Sequence, residues 1–151
     1  MKTFFLILIF GFFIAANGQT TLQYRDLINL AEMNKAKSER FLDVVSKEYL
    51  KTKRPIFLAL RGVGQFFMAK HSGNPFSKIS YFKKGKNDME DAVKAAPNHL
   101  EIRFLRYLSQ SKMPKILGYH SNIDEDFQFL KNSYKKSKDQ ELVKEIKRHV
   151  E

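Results

Sequence analysis

Residues 84–107 read K-G-K-N-D-M-E-D-A-V-K-A-A-P-N-H-L-E-I-R-F-L-R-Y. This stretch predicts the end of one helix, a break at Pro97-Asn98 and the start of a second helix, because proline interrupts the helical hydrogen-bond ladder. Small residues lie where the two helices would have to touch. Helical periodicity continues on both sides of this pair, and no segment shows sustained alternation of apolar and polar residues. We therefore predict an all-α domain.

The first eighteen residues are predicted to be a secretory signal peptide. Lys2 precedes the apolar run Phe4–Ile14, and Ala16 and Gly18 occupy the small-residue positions before a cleavage point at Gln19. An uncleaved membrane anchor is the alternative, but eleven residues are fewer than the roughly 20 that span a bilayer as a helix. We expect export to a periplasm or to the cell exterior, with residues 19–151 forming a single domain.

The composition indicates a basic domain without covalent cross-links. Lys and Arg outnumber Asp and Glu by 27 to 16, and removing residues 1–18, where Lys2 is the one charged residue, lowers the net charge from +11 to +10. Cysteine is absent, which excludes disulfides, thiolate metal sites, a cysteine nucleophile and a lipid-modified N-terminal cysteine. An exported domain without disulfides depends on its hydrophobic core, which favours regular helix packing.

Seven helices are predicted from apolar spacing, prolines and cap residues. Their predicted positions are residues 22–34, 38–51, 55–70, 75–96, 98–111, a segment capped by Ser121 or Asn122, and residues 138–150. Thr20 or Thr21 is expected to cap the first helix, and Ser38 the second. Because no Gly or Pro lies between Gly18 and Pro55, one long helix over residues 22–51 is the alternative.

The third predicted helix is apolar on nearly every side, which is typical of a central helix. Gly62 and Gly64 within it each cost about 1 kcal/mol relative to Ala, so we expect a neighbouring helix to approach its backbone closely. The fourth helix is expected to bury one apolar stripe formed by Phe76, Ile79, Phe82, Met89, Val93 and Ala96.

The middle helices resemble a tetratricopeptide repeat, which is a pair of antiparallel helices. The segment Leu60-x2-Val63-Gly64-x2-Phe67 is similar to the first half of its pattern, and Gly85-x3-Met89-x2-Ala92-x4-Pro97 to the second half. The small residues Gly64, Gly85 and Ala92 would let the two helices close, while Phe67 and Met89 fill the gap beside them. Seventeen residues separate Phe67 from Gly85, compared with about eight in the repeat, so the resemblance covers about residues 55–97.

The resemblance implies a right-handed stack of about three antiparallel helix pairs, a fragment of an α-solenoid. It also implies a non-enzymatic scaffold that binds a protein or peptide in a groove lined by the first helix of each pair. The candidate groove residues are Arg61, Arg103, Arg106 and Tyr107. The alternatives are that Tyr107 belongs to the core and that Arg103 and Arg106 pair with Glu101 or with no residue. A stack of three pairs is close to the minimum for stability, which favours a homodimer.

No catalytic, metal or cofactor motif is recognisable. His71, His99, His120 and His149 lack partners at the spacing of zinc sites. The acidic runs are explained by helical pairs such as Glu90–Lys94, and, at residues 124–126, by the dipole of a helix start. We therefore predict no metal, no cofactor and no enzymatic activity; an enzyme would require an unrecognised cleft with strongly perturbed titratable groups.

Lysines recur on the predicted helix faces. One set is Lys78, Lys83, Lys84 and Lys86; the other is Lys131, Lys135, Lys136, Lys138, Lys144 and Lys147. Such faces ordinarily keep a protein soluble. The functional alternative is peripheral binding of the first set to an anionic envelope surface, either lipid headgroups or an acidic glycan. Nucleic acid is not expected as a partner, because export separates the protein from it and no nucleic-acid-binding motif is visible.

Overall fold

The computed structural model describes the backbone of residues 19–151 and the side chains of residues 23–151. The predicted signal peptide, residues 1–18, lies outside the described residues. Within the described part, the chain forms seven α-helices, two short 3-10 helices and no strand, which confirms the all-α prediction. The α-helices are α1 (Gln19–Ala31), α2 (Lys35–Thr52), α3 (Pro55–His71), α4 (Pro75–Ala95), α5 (Leu100–Lys112), α6 (Ile123–Ser133) and α7 (Gln140–Val150).

Two helices, rather than one long helix, begin the domain. Asn34 separates them and caps α2, since its side-chain oxygen accepts a hydrogen bond from the Lys37 N–H at 3.0 Å. Ser38 was wrongly predicted as this cap. It is buried one turn inside α2, where its hydroxyl donates to the Ala31 carbonyl at 2.7 Å and so joins α2 to the end of α1.

Other helix ends differ from their predictions by a few residues. Thr20 and Thr21 lie within α1 rather than before it. His99 caps α5, with its ring Nδ1 accepting from the Ile102 N–H at 3.4 Å. Asn122 precedes α6 without a side-chain capping bond, whereas Asp139 caps α7 by accepting from the Leu142 N–H at 3.0 Å.

The most extensive helix contact in the described chain joins α3 and α4, and a pair of glycines lies within it. A Cβ added to Gly62 would lie 2.9 Å from the Gly85 carbonyl oxygen and 3.2 Å from the Met89 nitrogen. A Cβ on Gly85 would lie 2.9 Å from the Gly62 carbonyl oxygen. The absence of both side chains therefore lets the two backbones touch.

Gly64, which was predicted to lie between α3 and α4, instead faces α2. A Cβ at this position would lie 3.2–3.3 Å from atoms of Leu42. Phe67 likewise packs towards α2, with its ring centroid 6.4 Å from that of Phe41. The two positions differ because residues 62 and 64 project about 200° apart around a helix, so the two glycines serve opposite neighbours.

The core consists of two apolar clusters joined by α5. The larger cluster lies among α1–α5 and includes Ile102 and Leu105 of α5. The smaller cluster contains Phe104 of α5 together with side chains from α6 and α7. Because consecutive helices pack together, and α3 also contacts both α1 and α5, the arrangement is compatible with a stack of helix pairs.

The N-terminal half of α4 departs from the predicted apolar stripe. Met89 and Val93 are buried, but Phe76 and Ile79 are 83% and 50% exposed. Phe76 and Met89 are thirteen positions apart, which places them about 220° apart around the helix. The predicted stripe therefore winds around α4 and leaves its first residues on the outer surface. Within the described residues, no helix combines the length and apolar character needed to cross a bilayer.

Candidate functional site

Two of the predicted groove residues, Arg103 and Arg106, share one buried carboxylate. The guanidinium of Arg106 donates to both oxygens of Asp126, at 2.7 and 2.8 Å, and the Nε of Arg103 donates to the same carboxylate. Asp126 has no exposed surface, and the arginines are only 7% and 4% exposed. Hydrogen bonds between opposite charges are stronger than those between neutral groups. This network therefore stabilises the contact of α5 with α6.

The same network reaches α4 and the connector between α5 and α6. Glu90 of α4 accepts hydrogen bonds from Arg106 at 2.9 Å and from the Tyr119 hydroxyl at 2.6 Å. Burial, and then the hydrogen bond to Glu90, raise the pKa of Tyr119. Burial alone would lower the pKa of Arg106, but its carboxylate partners raise it above its ordinary value. The group therefore stays charged at neutral pH.

These contacts correct two explanations of the acidic residues. The helix dipole does not account for Asp126, which serves as the acceptor for both arginines. Glu90 binds Arg106, and no ion pair between Glu90 and Lys94 is found among the described residues. Arg103 and Arg106 are three positions apart and so share one face of α5, which lets both reach Asp126, but this spacing does not indicate which residue accepts from them.

A second network involves Arg25, a residue to which no sequence motif assigns a role. Its Nε donates to Glu101 of α5 at 2.8 Å, and its Nη2 donates to Asp139 at 2.6 Å. Glu101 therefore pairs with Arg25 and not with Arg103 or Arg106. This contact ties α1 to both α5 and the start of α7.

Arg61, the third predicted groove residue, lies against α4. It donates two hydrogen bonds to Asp88, both of 2.7 Å, and its guanidinium lies 4.8 Å from the centroid of the Tyr49 ring. The hydrogen bonds to Asp88 are the main cause of the raised pKa of Arg61. A shallow, open cleft adjoins this pair, lined by Ser46, Arg61, Gln65, Lys84, Asn87 and Asp88.

The predicted groove residues lie in two separate places. Arg61 binds Asp88 and Arg106 binds Glu90, and residues two apart on a helix project about 200° apart. The two arginines are thus on opposite sides of α4. Tyr107 is half-buried against Phe127, with ring centroids 6.3 Å apart. Arg103, Arg106 and Tyr107 are near the contact of α5 with α6, away from Arg61.

The four lysines of the alternative proposal remain on the surface. We call residues 75–87 the basic segment: it contains Lys78, Lys83, Lys84 and Lys86, all exposed, and no acidic residue. Among the described residues, no carboxylate forms an ion pair with any of the four. Their positive charge is consequently available to an external anion.

Two of these lysines form cation–π contacts with aromatic rings. The Lys84 ammonium lies 5.9 Å from the Tyr81 ring centroid, and the Lys86 ammonium lies 5.5 Å from that of Tyr119. Tyr119 is a buried residue of the connector, which also includes Ile116, a highly exposed apolar side chain. Such cation–π contacts at exposed sites are weak and leave the charge accessible.

The second set of lysines lies on α6, α7 and the segment between them. Lys135 and Lys147 each approach Glu151 at 3.5 Å. The other four are Lys131, Lys136, Lys138 and Lys144, all exposed. This set is interspersed with Asp139, Glu141, Glu145 and Glu151, so its local net charge is lower than that of the basic segment.

The histidines occupy separate structural positions. His71 contacts the Glu32 carbonyl at 3.0 Å, and His149 contacts the Glu145 carbonyl at 2.8 Å. His99 caps α5, and His120 is exposed in the connector. Within residues 23–151, no cluster of three His, Asp or Glu side chains is arranged to hold a metal ion.

Comparison with protein-family models, with curated proteins and with solved structures finds no match to this chain. Membership of the tetratricopeptide family therefore stays a prediction, which the packing of the helices accommodates but does not specify.

Proposed function

We propose that this protein is a non-enzymatic, exported module that binds peripherally to an anionic envelope surface through the basic segment. The observation that carries the proposal is the group of four exposed lysines without an acidic neighbour in their segment or an ionic partner among the described residues. The arginines of the predicted groove differ in this respect, because each is already hydrogen-bonded to a carboxylate of the fold.

Lysines of the basic segment can contribute substantially to the affinity for an anionic membrane surface. A Lys near an anionic membrane surface contributes about 1 kcal/mol, so the four together contribute at most about 4 kcal/mol. That energy corresponds to roughly a thousandfold increase in the binding constant. The contribution depends on salt, because the screening length falls from about 30 Å at 0.01 M to about 8 Å at 0.15 M.

The signal-peptide pattern of residues 1–18 supports export to a periplasm or to the cell exterior, where such a surface would be met. For the fold, we interpret the helix pairs as a right-handed, tetratricopeptide-like stack. Contacts between α3 and both α1 and α5 support this interpretation. A homodimer remains a proposal based on the small number of helix pairs.

The proposal is tested by binding to anionic lipid vesicles and to beads carrying a sulfated polysaccharide, each at about 0.01 M and about 0.15 M salt. A variant with glutamine at positions 78, 83, 84 and 86 should lose most of its binding at the lower salt concentration. The matched control carries glutamine at positions 131, 136, 138 and 144, which removes the same charge elsewhere. Equal loss in both variants would show that net charge alone is responsible and would overturn the proposal.

A protein or peptide bound beside Arg61 is the second candidate. The observation that favours it is the side-chain oxygen of Gln65, which is buried at the cleft without a hydrogen-bond partner in the described structure. A ligand N–H could supply the missing donor. A peptide selected against the protein should lose affinity in Gln65→Leu but keep it in Lys78→Gln; the reverse pattern would exclude this cleft.

A further inference from the structure

We infer that the anionic surface is a lipid bilayer, and that Phe76 and Ile79 enter its interfacial layer while Lys83 and Lys86 contact the headgroups. This inference rests on the proposed function and specifies its partner. Phe76 is among the most exposed large apolar side chains in the described structure, and Ile79 lies one turn further along α4. A hydrophobic ring left in water next to unpaired positive charge is typical of an interfacial contact.

The two residue types share one face of α4. Phe76, Ile79, Lys83 and Lys86 follow one another at intervals of three, four and three residues, which is the spacing of one helical face. The face is about 15 Å long, at a rise of 1.5 Å per residue. Its apolar side chains are at the start of the helix and its lysines follow, so a bilayer could contact both along a single line.

The start of α4 is held in a helical conformation without any burial of Phe76. Pro75 is the first helical residue, and the Asn74 side chain accepts hydrogen bonds from the N–H groups of Phe76 and Ser77 at 2.9 and 3.2 Å. Proline at this position and an asparagine cap are both favourable at a helix start. The two apolar side chains are therefore presented on a preformed helix, which lowers the entropy lost on binding.

A bilayer accounts for this face better than an acidic glycan does. Both offer negative charge to the lysines, but a hydrated polysaccharide would leave Phe76 and Ile79 in water. The interface of a bilayer accepts apolar side chains and headgroup contacts together. Lysine also suits that boundary, since its long alkyl chain can lie beside apolar groups while the ammonium stays hydrated.

A single tryptophan provides the test, because the chain contains none. Phe76→Trp is titrated with vesicles of phosphatidylcholine alone, and with vesicles that also contain phosphatidylglycerol with or without brominated acyl chains. We expect a blue-shifted emission that the bromine atoms quench, with anionic vesicles only, and no shift with the sulfated polysaccharide. Leu50→Trp is the matched control, since Leu50 is 62% exposed on α2 with Lys47 and Lys51 nearby in the sequence, and it should not respond.

A second pair of substitutions tests the energetic contribution. Phe76→Ser with Ile79→Ser should weaken vesicle binding at least about tenfold, given the area that these side chains would bury, and should leave retention on the polysaccharide beads unchanged. Both positions are exposed, so thermal unfolding should match that of the parent chain. Chains of residues 1–151 and 19–151 are compared in parallel, because the apolar run Phe4–Ile14 could itself enter a bilayer.

The outcomes separate the two proposals. If vesicle binding still depends on the lysines but the tryptophan at position 76 stays in water, the bilayer inference is overturned and the proposed function stands. If the serine variant binds vesicles as well as the parent chain does, the inference is also overturned. If the parent chain binds neither vesicles nor polysaccharide at low salt, the proposed function itself fails.

Discussion

Arg106 donates two hydrogen bonds to Asp126, and neither residue has a substantial exposed surface. Removing one member of a buried charge pair costs more free energy than the pair contributes, because the remaining charge is left without a partner in a region that excludes water. Asp126 has two such partners, Arg103 and Arg106, and its loss would remove their shared buried acceptor. Arg106 would keep Glu90 at 2.9 Å, and Arg103 would keep Glu125 at 2.7 Å. Asp126 is therefore the buried carboxylate of the α5–α6 contact, and Glu125 adds an exposed ion pair to it.

Asp126→Ala should lower the free energy of unfolding by about 3 kcal/mol, the lower end of the range for breaking a buried ion pair, because both arginines keep another carboxylate partner. Asp124→Ala removes an exposed carboxylate two positions earlier and should change it by less than about 0.5 kcal/mol. Urea titrations of both variants, followed by circular dichroism, measure the difference. Similar stabilities for the two variants would mean that the buried network does not hold α6 in place.

Gly62→Ala should destabilise the protein by about 1–3 kcal/mol. The new Cβ would lie 2.9 Å from a backbone oxygen of α4, and relief of that contact requires the two helices to separate. Gly73→Ala is the control, because a Cβ there has no neighbour within 4 Å; it should be neutral or slightly stabilising, since alanine restricts the unfolded chain. Thermal unfolding midpoints of the two variants provide the comparison.

The ion pair of Arg25 with Asp139 should make stability dependent on pH in the acid range. The hydrogen bond from Arg25 is the main cause that lowers the pKa of Asp139 in the folded protein. Because the pKa of Asp139 is lower in the folded than in the unfolded protein, the ion pair stabilises the fold fully above the unfolded pKa of about 3.9. This stabilisation is lost as the pH falls through the folded pKa.

Asp139→Asn tests this dependence, because asparagine can still cap α7. At neutral pH the unfolding free energy of the parent chain should be about 1 kcal/mol higher than that of the variant. This difference should shrink as the pH falls below about 4. Urea midpoints measured at several pH values determine it. A constant difference across this range would show that the charge of Asp139 does not contribute.

Arg61→Ala tests whether the cleft beside Arg61 contributes to vesicle binding by the basic segment. The substitution removes two hydrogen bonds to Asp88 and the contact with the Tyr49 ring, so we expect a loss of about 1–2 kcal/mol in unfolding free energy. Binding to anionic vesicles should be unchanged under conditions where the chain is folded. A large loss of vesicle binding would place Arg61 within the anionic-surface site.

Much of the architecture was predictable because the decisive signals are local. Pro55 and Pro75 begin helices α3 and α4, and the apolar spacing of residues 55–70 indicated a central helix. The sequence also indicated that Gly62 and Gly64 lie at close helix contacts. It did not reveal which helix each glycine faces, since that choice depends on the rotation of α3 between two neighbours.

The candidate site was predictable only in part. Lysines in a segment without acidic residues can be read directly from the sequence, and the structure shows that they are exposed. The roles of the arginines could not be obtained in this way, because Arg103 and Asp126 are 23 positions apart and Arg25 and Asp139 are 114 apart. Neither periodicity nor local spacing carries information about such distant partners.

The contact of Arg25 with Asp139 has a consequence for the order of folding. In an ideal repeat array each unit touches only its neighbours, so folding can begin anywhere and the ends fray independently. Here α1 gains a partner that is 114 residues away, and such long loops close late because of their entropic cost. We therefore expect α1 to complete its contacts only after nearly all of the chain is present, and the two ends of the stack to unfold together as one cooperative unit.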